Sequence, residues 1–414
     1  MKILLSPVGS RGDIQPQLVL AAELRRRGHE VRFATCPNFR EMVENEGFEC
    51  FSIGRDSHEL ILENSELAEQ NPLRALPRQL KLVSDETTRQ CKDLLEAKLP
   101  PFDLVVGAGL SFAVRLLAEK TRAKYAFVCY TLAGVESVEH PPPTLPVFGL
   151  RAFGNRALWS VARSTFARAV GKPLAAVRKL HGLEPDPSPW HSIHGTNLIL
   201  AQDEVMGPLP SDARGCGAHV AALARASGAA PLPDVVEAFL QRRGPEPLIY
   251  VGFGSMPTVE RARVIDAVSE LCRVHHARAL LFSAHDEDQS FTLPEAVLSV
   301  GALDHARLFP RVDLVVHHGG AGTTATALRA GVPQLIVPHI VDQFFHGRRI
   351  AELGIGPAPV KKQHLRARLC ALSWPDLSAM RITAQRIAET LTPSGAPAAA
   401  SYLESLVEAP LERQ

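Results

Sequence analysis

Between a strand-like run and a helix-like run lies the stretch Val315-Val316-His317-His318-Gly319-Gly320-Ala321-Gly322-Thr323-Thr324. The apolar residues before the histidines predict a buried strand, and the stretch from about Gly322 to Ala330 predicts a helix. Small residues at such a turn let backbone N–H groups approach a ligand closely. Those donors, the helix dipole and the Thr323 hydroxyl converge where an anion would sit, and His318 adds a side-chain donor. The chemistry this suggests is phosphate binding without a lysine, since neither Gly-x4-Gly-Lys-Ser/Thr nor Gly-x-Gly-x-x-Gly occurs in the turn. His317 and His318 are neighbours on a strand and point to opposite faces, so they do not share a metal, and His317 reads as a core histidine. Downstream, Asp342 and Gln343 follow the next strand, where an acid and an amide side by side can grip the hydroxyls of a polyol.

A second group of reactive types lies near the start, in Gly9-Ser10-Arg11-Gly12-Asp13-Ile14-Gln15-Pro16. Three functional readings compete there, an Arg-Gly-Asp adhesion tripeptide, a glycine-rich turn that cradles phosphate and an acid–base group at a strand end, while structurally Asp13 could cap a helix starting at Pro16 or pair with Arg11. Asp286-Glu287-Asp288 has the spacing of an Asp-x-Asp manganese motif, but His285, Gln289 and Ser290 around it mark a solvated loop. His275-His276 falls at a helix end, where a positive charge complements the dipole.

These residues need a scaffold. Lys2–Pro7 reads as a buried strand, Pro16–Arg27 as a helix ended by Gly28, and Glu30–Thr35 as a second strand, which is a βαβ unit. Leu104–Val106, Lys124–Tyr130 and Asn197–Ala201 continue the buried-strand pattern. The pattern restarts at Pro247–Ser255 and is followed by a helix over Val259–Arg273. Further strands are expected at Ala279–Ser283, Val297–Val300, Leu314–His317 and Gln334–Val337. Two parallel α/β domains are therefore expected, over 1–215 and 247–385. The Gly- and Pro-rich stretch 216–246 reads as a linker carrying one helix, and 386–414 as a final helical segment.

Bulk properties narrow the function class. At 414 residues the chain exceeds what one core organises. A net charge of +1, from 45 basic and 44 acidic residues, lacks the global excess of a protein living on nucleic acid, while a local basic patch stays open. No run of about 18 apolar residues is present, so no integral membrane segment is expected. The N-terminus lacks the pattern of a secretory signal. Seven scattered cysteines with no Cys-x-x-Cys point to a reduced, cytoplasmic protein, which argues against the adhesion reading of Arg11-Gly12-Asp13.

The motifs together resemble the GT-B glycosyltransferases of family 1, in the group of bacterial antibiotic and macrolide glycosyltransferases and sterol glucosyltransferases. The resemblance rests on His-His-Gly-Gly-Ala-Gly-Thr-Thr at 317–324, Arg-Ala-Gly-Val-Pro-Gln at 329–334, Asp-Gln at 342–343, Gly-Ser-Arg-Gly-Asp with Gln-Pro at 9–16, and Arg-Gly-His-Glu-Val at 27–31. It covers both ends of the chain and is weaker over residues 50–195. It implies two Rossmann-like domains facing across a cleft, with an acceptor in the first and a nucleotide-diphosphate sugar in the second. The 386–414 segment would cross back onto the first domain.

Carried over, the resemblance puts the diphosphate on His318, Gly320, Gly322 and Thr323, with Gly254 and Ser255 beside the distal phosphate. Asp342 and Gln343 would hold the sugar, Gly12 would join the donor contacts, and Leu303 with His305 would line the base and diphosphate pocket. Asp13 would be the general base. Thr326 stands where plant members carry a ribose-binding Glu, and Leu298–Phe309 holds no base-stacking Trp, so UDP and TDP both remain open. The implied reaction is inverting O-glycosylation of a lipophilic acceptor, with no metal and no cofactor beyond the sugar donor. Phe112, Phe148, Phe153 and Trp159 are acceptor-side candidates that core packing would explain equally well. A non-catalytic nucleotide-sugar-binding partner of another glycosyltransferase is the alternative. A nicotinamide oxidoreductase is suggested by fold alone and lacks its glycine fingerprint.

Overall fold

The computed structural model describes residues 1–64, 72–97, 99–195, 197–213, 215–225, 231–242, 244–254, 261–283 and 293–408. Ser255 and Asp286–Asp288 lie outside the described residues. The chain divides into two compact units, Met1–Leu223 with Ser394–Gln414, and Ala224–Pro393.

The first unit contains β1 (Lys2–Val8), β2 (Glu30–Thr35), β3 (Glu49–Ser52), β4 (Leu104–Gly109), β5 (Lys124–Cys129), β6 (Leu198–Ala201) and β7 (Cys216–Val220). They form one parallel sheet in the order β3-β2-β1-β4-β5-β6-β7. Its central strands are almost wholly buried, as parallel strands covered by helices must be. The strand order reverses between β1 and β4, and the carboxyl ends of strands at such a switch point form a crevice suited to ligands.

Three features differ from the sequence expectation. The first helix spans Arg11–Arg26, so it begins five residues before Pro16, because Ser10 and Asp13 form a reciprocal capping box. Pro16 sits inside that helix. Cys216–Val220, expected in a linker, is instead the seventh strand, and the helix Asp234–Gln241 packs Val236 and Leu240 into the second unit's core. Glu49–Ser52 adds a short edge strand that sequence reading did not anticipate.

The final helix, Ala396–Glu408, belongs to the first unit. Ala396, Ala399, Ala400 and Leu403 enter the same core as Leu20 and Leu24 of the Arg11–Arg26 helix. Glu404 bridges Arg27 Nη1 at 2.7 Å and His29 Nε2 at 2.8 Å, which fixes the helix along its neighbour.

The second unit contains β8 (Leu248–Gly252), β9 (Arg278–Phe282), β10 (Val297–Val300), β11 (Leu314–His317) and β12 (Gln334–Ile336). Their parallel order is β10-β9-β8-β11-β12, so the switch point lies between β8 and β11. The two segments that carry the sequence motifs, after β1 and after β11, therefore each leave a strand that borders its unit's switch point.

Candidate active site

In the second unit, β11 ends at His317 and the helix Ala321–Arg329 begins after Gly320, its N-cap residue. The first N–H groups of a helix have no intrahelical acceptor, so the amides of Ala321, Gly322 and Thr323 point outward along the dipole. Gly319 turns the chain at φ +93°, and a Cβ there would stand 2.8 Å from Ile336 Cγ2. Only glycine allows this turn to lie so close to the sheet.

A chain of hydrogen bonds holds the turn from below. Gly319 N–H donates to His317 Nδ1 (3.1 Å), so the His317 proton resides on Nε2 and is donated to Gln334 Oε1 (2.9 Å). Gln334 Nε2 donates to the Thr324 carbonyl (3.3 Å). His317 is fully buried, and burial pushes its pKa down to about 3. It is thus a neutral core histidine that positions the turn. His346 Nδ1 donates to the Gly319 carbonyl at 2.7 Å, a further brace that sequence reading missed. Its only signal was a place four residues after Asp342.

His318 is held differently. Its ring lies between Gly254 and Gly320: a Cβ on Gly254 would stand 3.2 Å from Cε1, and one on Gly320 would stand 2.5 Å from Nε2. Nδ1 is buried without a hydrogen-bond partner. Burial, with a smaller push from the His346 charge, lowers its pKa to about 4. An unpartnered buried imidazole beside the amino end of a helix can donate to an anion placed there.

Asp342 precedes the helix Gln343–Glu352 and is about a quarter exposed, at 24%. Burial raises its pKa, opposed by His346, whose Nδ1 is 3.9 Å from Oδ2. Gln343 was expected, with Asp342, to hold the sugar. Its Oε1 instead accepts from His339 N (2.7 Å) and Ile340 N (3.1 Å), so only the NH₂ end remains for such a contact. The loop it closes holds Val341 at φ +43°, a costly conformation for a β-branched residue and one that favours functional segments. Thr326 Oγ1 donates to the Gly322 carbonyl (2.8 Å) within its helix. Leu303 is half-buried against the core, while His305 meets the Tyr250 hydroxyl (3.0 Å) and stacks on Phe309.

In the first unit, Asp13 occupies the first turn of the Arg11–Arg26 helix. Its Oδ2 accepts from Ser10 N (2.7 Å) and Ser10 Oγ (3.0 Å), and Ser10 Oγ accepts from Gly12 N (3.2 Å). The Gly12 amide is thereby turned into the cap. The carboxylate rests between Gly9 at φ +147° and Gly109 at φ +62°, where added Cβ atoms would stand 2.4 Å from Oδ2 and 2.9 Å from Oδ1. Gly9 follows β1 and Gly109 ends β4, so Asp13 sits at the switch point itself. The Tyr130 hydroxyl donates to the Asp13 carbonyl (3.1 Å), and burial with the Asp13 charge drives that phenol well above its ordinary pKa.

Of the acceptor-side aromatics, Phe112 and Trp159 are buried in a cluster with Phe166, Trp190 and His194, while Phe153 is exposed. Among the described residues no three His, Cys, Asp or Glu side chains gather as a metal site, and no helix is long and apolar enough to cross a membrane.

Two parallel α/β units, the second with a glycine-rich, histidine-led turn beside its switch point, are the architecture of a GT-B glycosyltransferase. The chain belongs to family 1 of these enzymes, in the group of bacterial antibiotic and sterol glycosyltransferases. Residues 3–128 match the glycosyltransferase family 28 N-terminal domain, and residues 263–406 match the erythromycin biosynthesis protein CIII-like C-terminal domain. The chain is 33% identical to glycosyltransferase GtfE of Amycolatopsis orientalis over 98% of both proteins. It is 31% identical to the vancomycin aglycone glucosyltransferase of the same organism, over 97% of each. A sterol 3-beta-glucosyltransferase of Arabidopsis thaliana shares 31% identity over 87% of this chain and 60% of that protein. Its fold is similar to that of CalG4, the calicheamicin glycosyltransferase, with a TM-score of 0.70 and 21% identity over 99% of each chain.

Proposed function

We propose that this glycosyltransferase moves a hexose from a UDP- or TDP-sugar to a hydroxyl of a lipophilic small molecule, with inversion and without a metal. The observation that carries the reading is His318: an imidazole with a buried, unpartnered nitrogen, clamped between two glycines at the amino end of a helix. The helix amides and His318 bind the diphosphate, and Asp342 with the Gln343 NH₂ holds the sugar. Relatives whose names include a vancomycin aglycone and a sterol, and a neighbour solved in complex with dTDP, support the substrate classes.

In the reaction the acceptor oxygen forms a bond to the anomeric carbon as the bond from that carbon to the diphosphate breaks. The acceptor proton passes to the Asp13 carboxylate. A free carboxylate with a pKa near ~3.9 is a weak base for an alcohol, so its contribution lies in position within a concerted displacement. The charge that develops on the departing diphosphate is met by preorganised donors, the work a metal does in other enzymes.

Asp13→Asn tests the assignment cleanly, because an amide oxygen still accepts from Ser10 and preserves the cap. UDP or TDP affinity by calorimetry is expected to hold while turnover falls by about 10²- to 10⁴-fold, the range for losing a general base. Turnover near normal would remove Asp13 from the chemistry.

A further inference from the structure

From Pro141 to Leu183 the sequence holds seven Lys and Arg residues and no Asp or Glu, in a chain whose 45 basic and 44 acidic residues balance overall. Most of this segment is one helical run: Ala152–Phe166, a π-helical turn at Ala167–Gly171, and Lys172–Leu180. At 1.5 Å per residue it extends about 40 Å. Its inner side buries Trp159, Val170 and Leu174, and its outer side is open.

The outer side combines two chemistries. Phe153 is 83% exposed, Leu180 80% and Val161 54%, and Val147 and Leu150 are exposed just before the helix. Among the basic residues, Arg163 pairs with Glu136 and Arg178 with Glu119. Arg151, Arg156, Arg168, Lys172 and Lys179 are exposed, and among the described residues none has an ion-pair partner. Asp186 lines a pocket with Arg168 and Lys172, but the run itself carries no acid, and large apolar side chains flanked by unpaired cations are the composition of a helix that lies in a membrane interface. Long basic side chains keep their charge at the headgroups while their stems cover apolar surface.

We propose that this face docks the enzyme peripherally on an anionic lipid surface, with Phe153 and Leu180 entering the acyl boundary and the five cations meeting headgroup phosphates. A second copy of the chain would oppose like charge with like charge. A compact acidic partner would satisfy the cations but leave Phe153 and Leu180, at opposite ends of a ~40 Å run, without apolar contact. A bilayer meets both at once.

The test is co-sedimentation of the full chain with phosphatidylcholine vesicles, with and without phosphatidylglycerol, at low and high salt. Binding is expected only with phosphatidylglycerol, and to weaken with salt. Phe153→Ser with Leu180→Ser should lower the partition coefficient by roughly tenfold or more while retention on soluble polyglutamate persists. Arg156→Glu with Lys172→Glu should weaken both. The urea unfolding transition should keep its midpoint in every variant, which confirms folding. No binding to anionic vesicles, or vesicle binding that the serine variants leave intact, would overturn the proposal, and the latter would assign the face to an acidic macromolecule.

Discussion

Gly320→Ala perturbs the diphosphate site through one atom. A methyl group there would stand 2.5 Å from His318 Nε2, where ordinary contact begins near 3.4 Å, so the ring must move by about 0.9 Å. A hydrogen bond stretched by that much is lost, and one to a charged group contributes about 1.5–3 kcal/mol. UDP and TDP affinity should therefore fall by roughly 10- to 150-fold in a calorimetric titration. The fold itself should lose only about 1 kcal/mol, since Gly320 has φ −62°, which alanine adopts freely, and the change is confined to an N-cap. His318→Ala removes the ring without crowding and should weaken binding by a similar factor. Unchanged affinity in Gly320→Ala with an intact unfolding transition would refute the placement of the diphosphate on His318.

Stability should depend on pH through buried histidines of the second unit. Burial holds His317 near 3, and His318 and His339 near 4, below the ordinary value of 6.5. The unfolded chain binds protons that the fold excludes, so stability is full above about pH 6.5 and falls as pH drops toward 4, by up to ~4 kcal/mol per pH unit. Urea unfolding across that window should show the slope, and His318→Gln should reduce it by about a third; a flat profile would contradict the buried neutral state. Leu403→Ala should destabilise the first unit by about 2–4 kcal/mol, because this fully buried side chain fixes the last helix to the core. A change below about 0.5 kcal/mol in the same denaturation assay would mean that the helix is not docked as described.

The second unit's site was legible because its chemistry is encoded locally. Three buried apolar residues, two histidines and a run of glycine, alanine and threonine specify a strand, a turn and a helix start within a dozen positions. The partners that brace the turn were less legible: Gln334 lies on the neighbouring strand and His346 on a later helix, contacts that only the tertiary fold creates. Near Asp13 local rules conflicted. Proline favours the first position of a helix, which pointed to Pro16, but the reciprocal bonds of Ser10 and Asp13 start the helix at Arg11. Asp13 thus combines a capping contact with a place at the switch point. Glu49–Ser52 and Cys216–Val220 escaped notice because edge strands this short and half-exposed carry no clear apolar run.

The proposed transfer is tested most directly by incubating the purified chain with UDP-glucose or TDP-glucose, EDTA and a panel of hydroxylated lipophilic aglycones. Nucleotide diphosphate release should match glycoside formation one for one, with the anomeric configuration of the product opposite to that of the donor. Nucleotide binding with no glycoside formed, or turnover only after divalent metal is restored, would contradict the account.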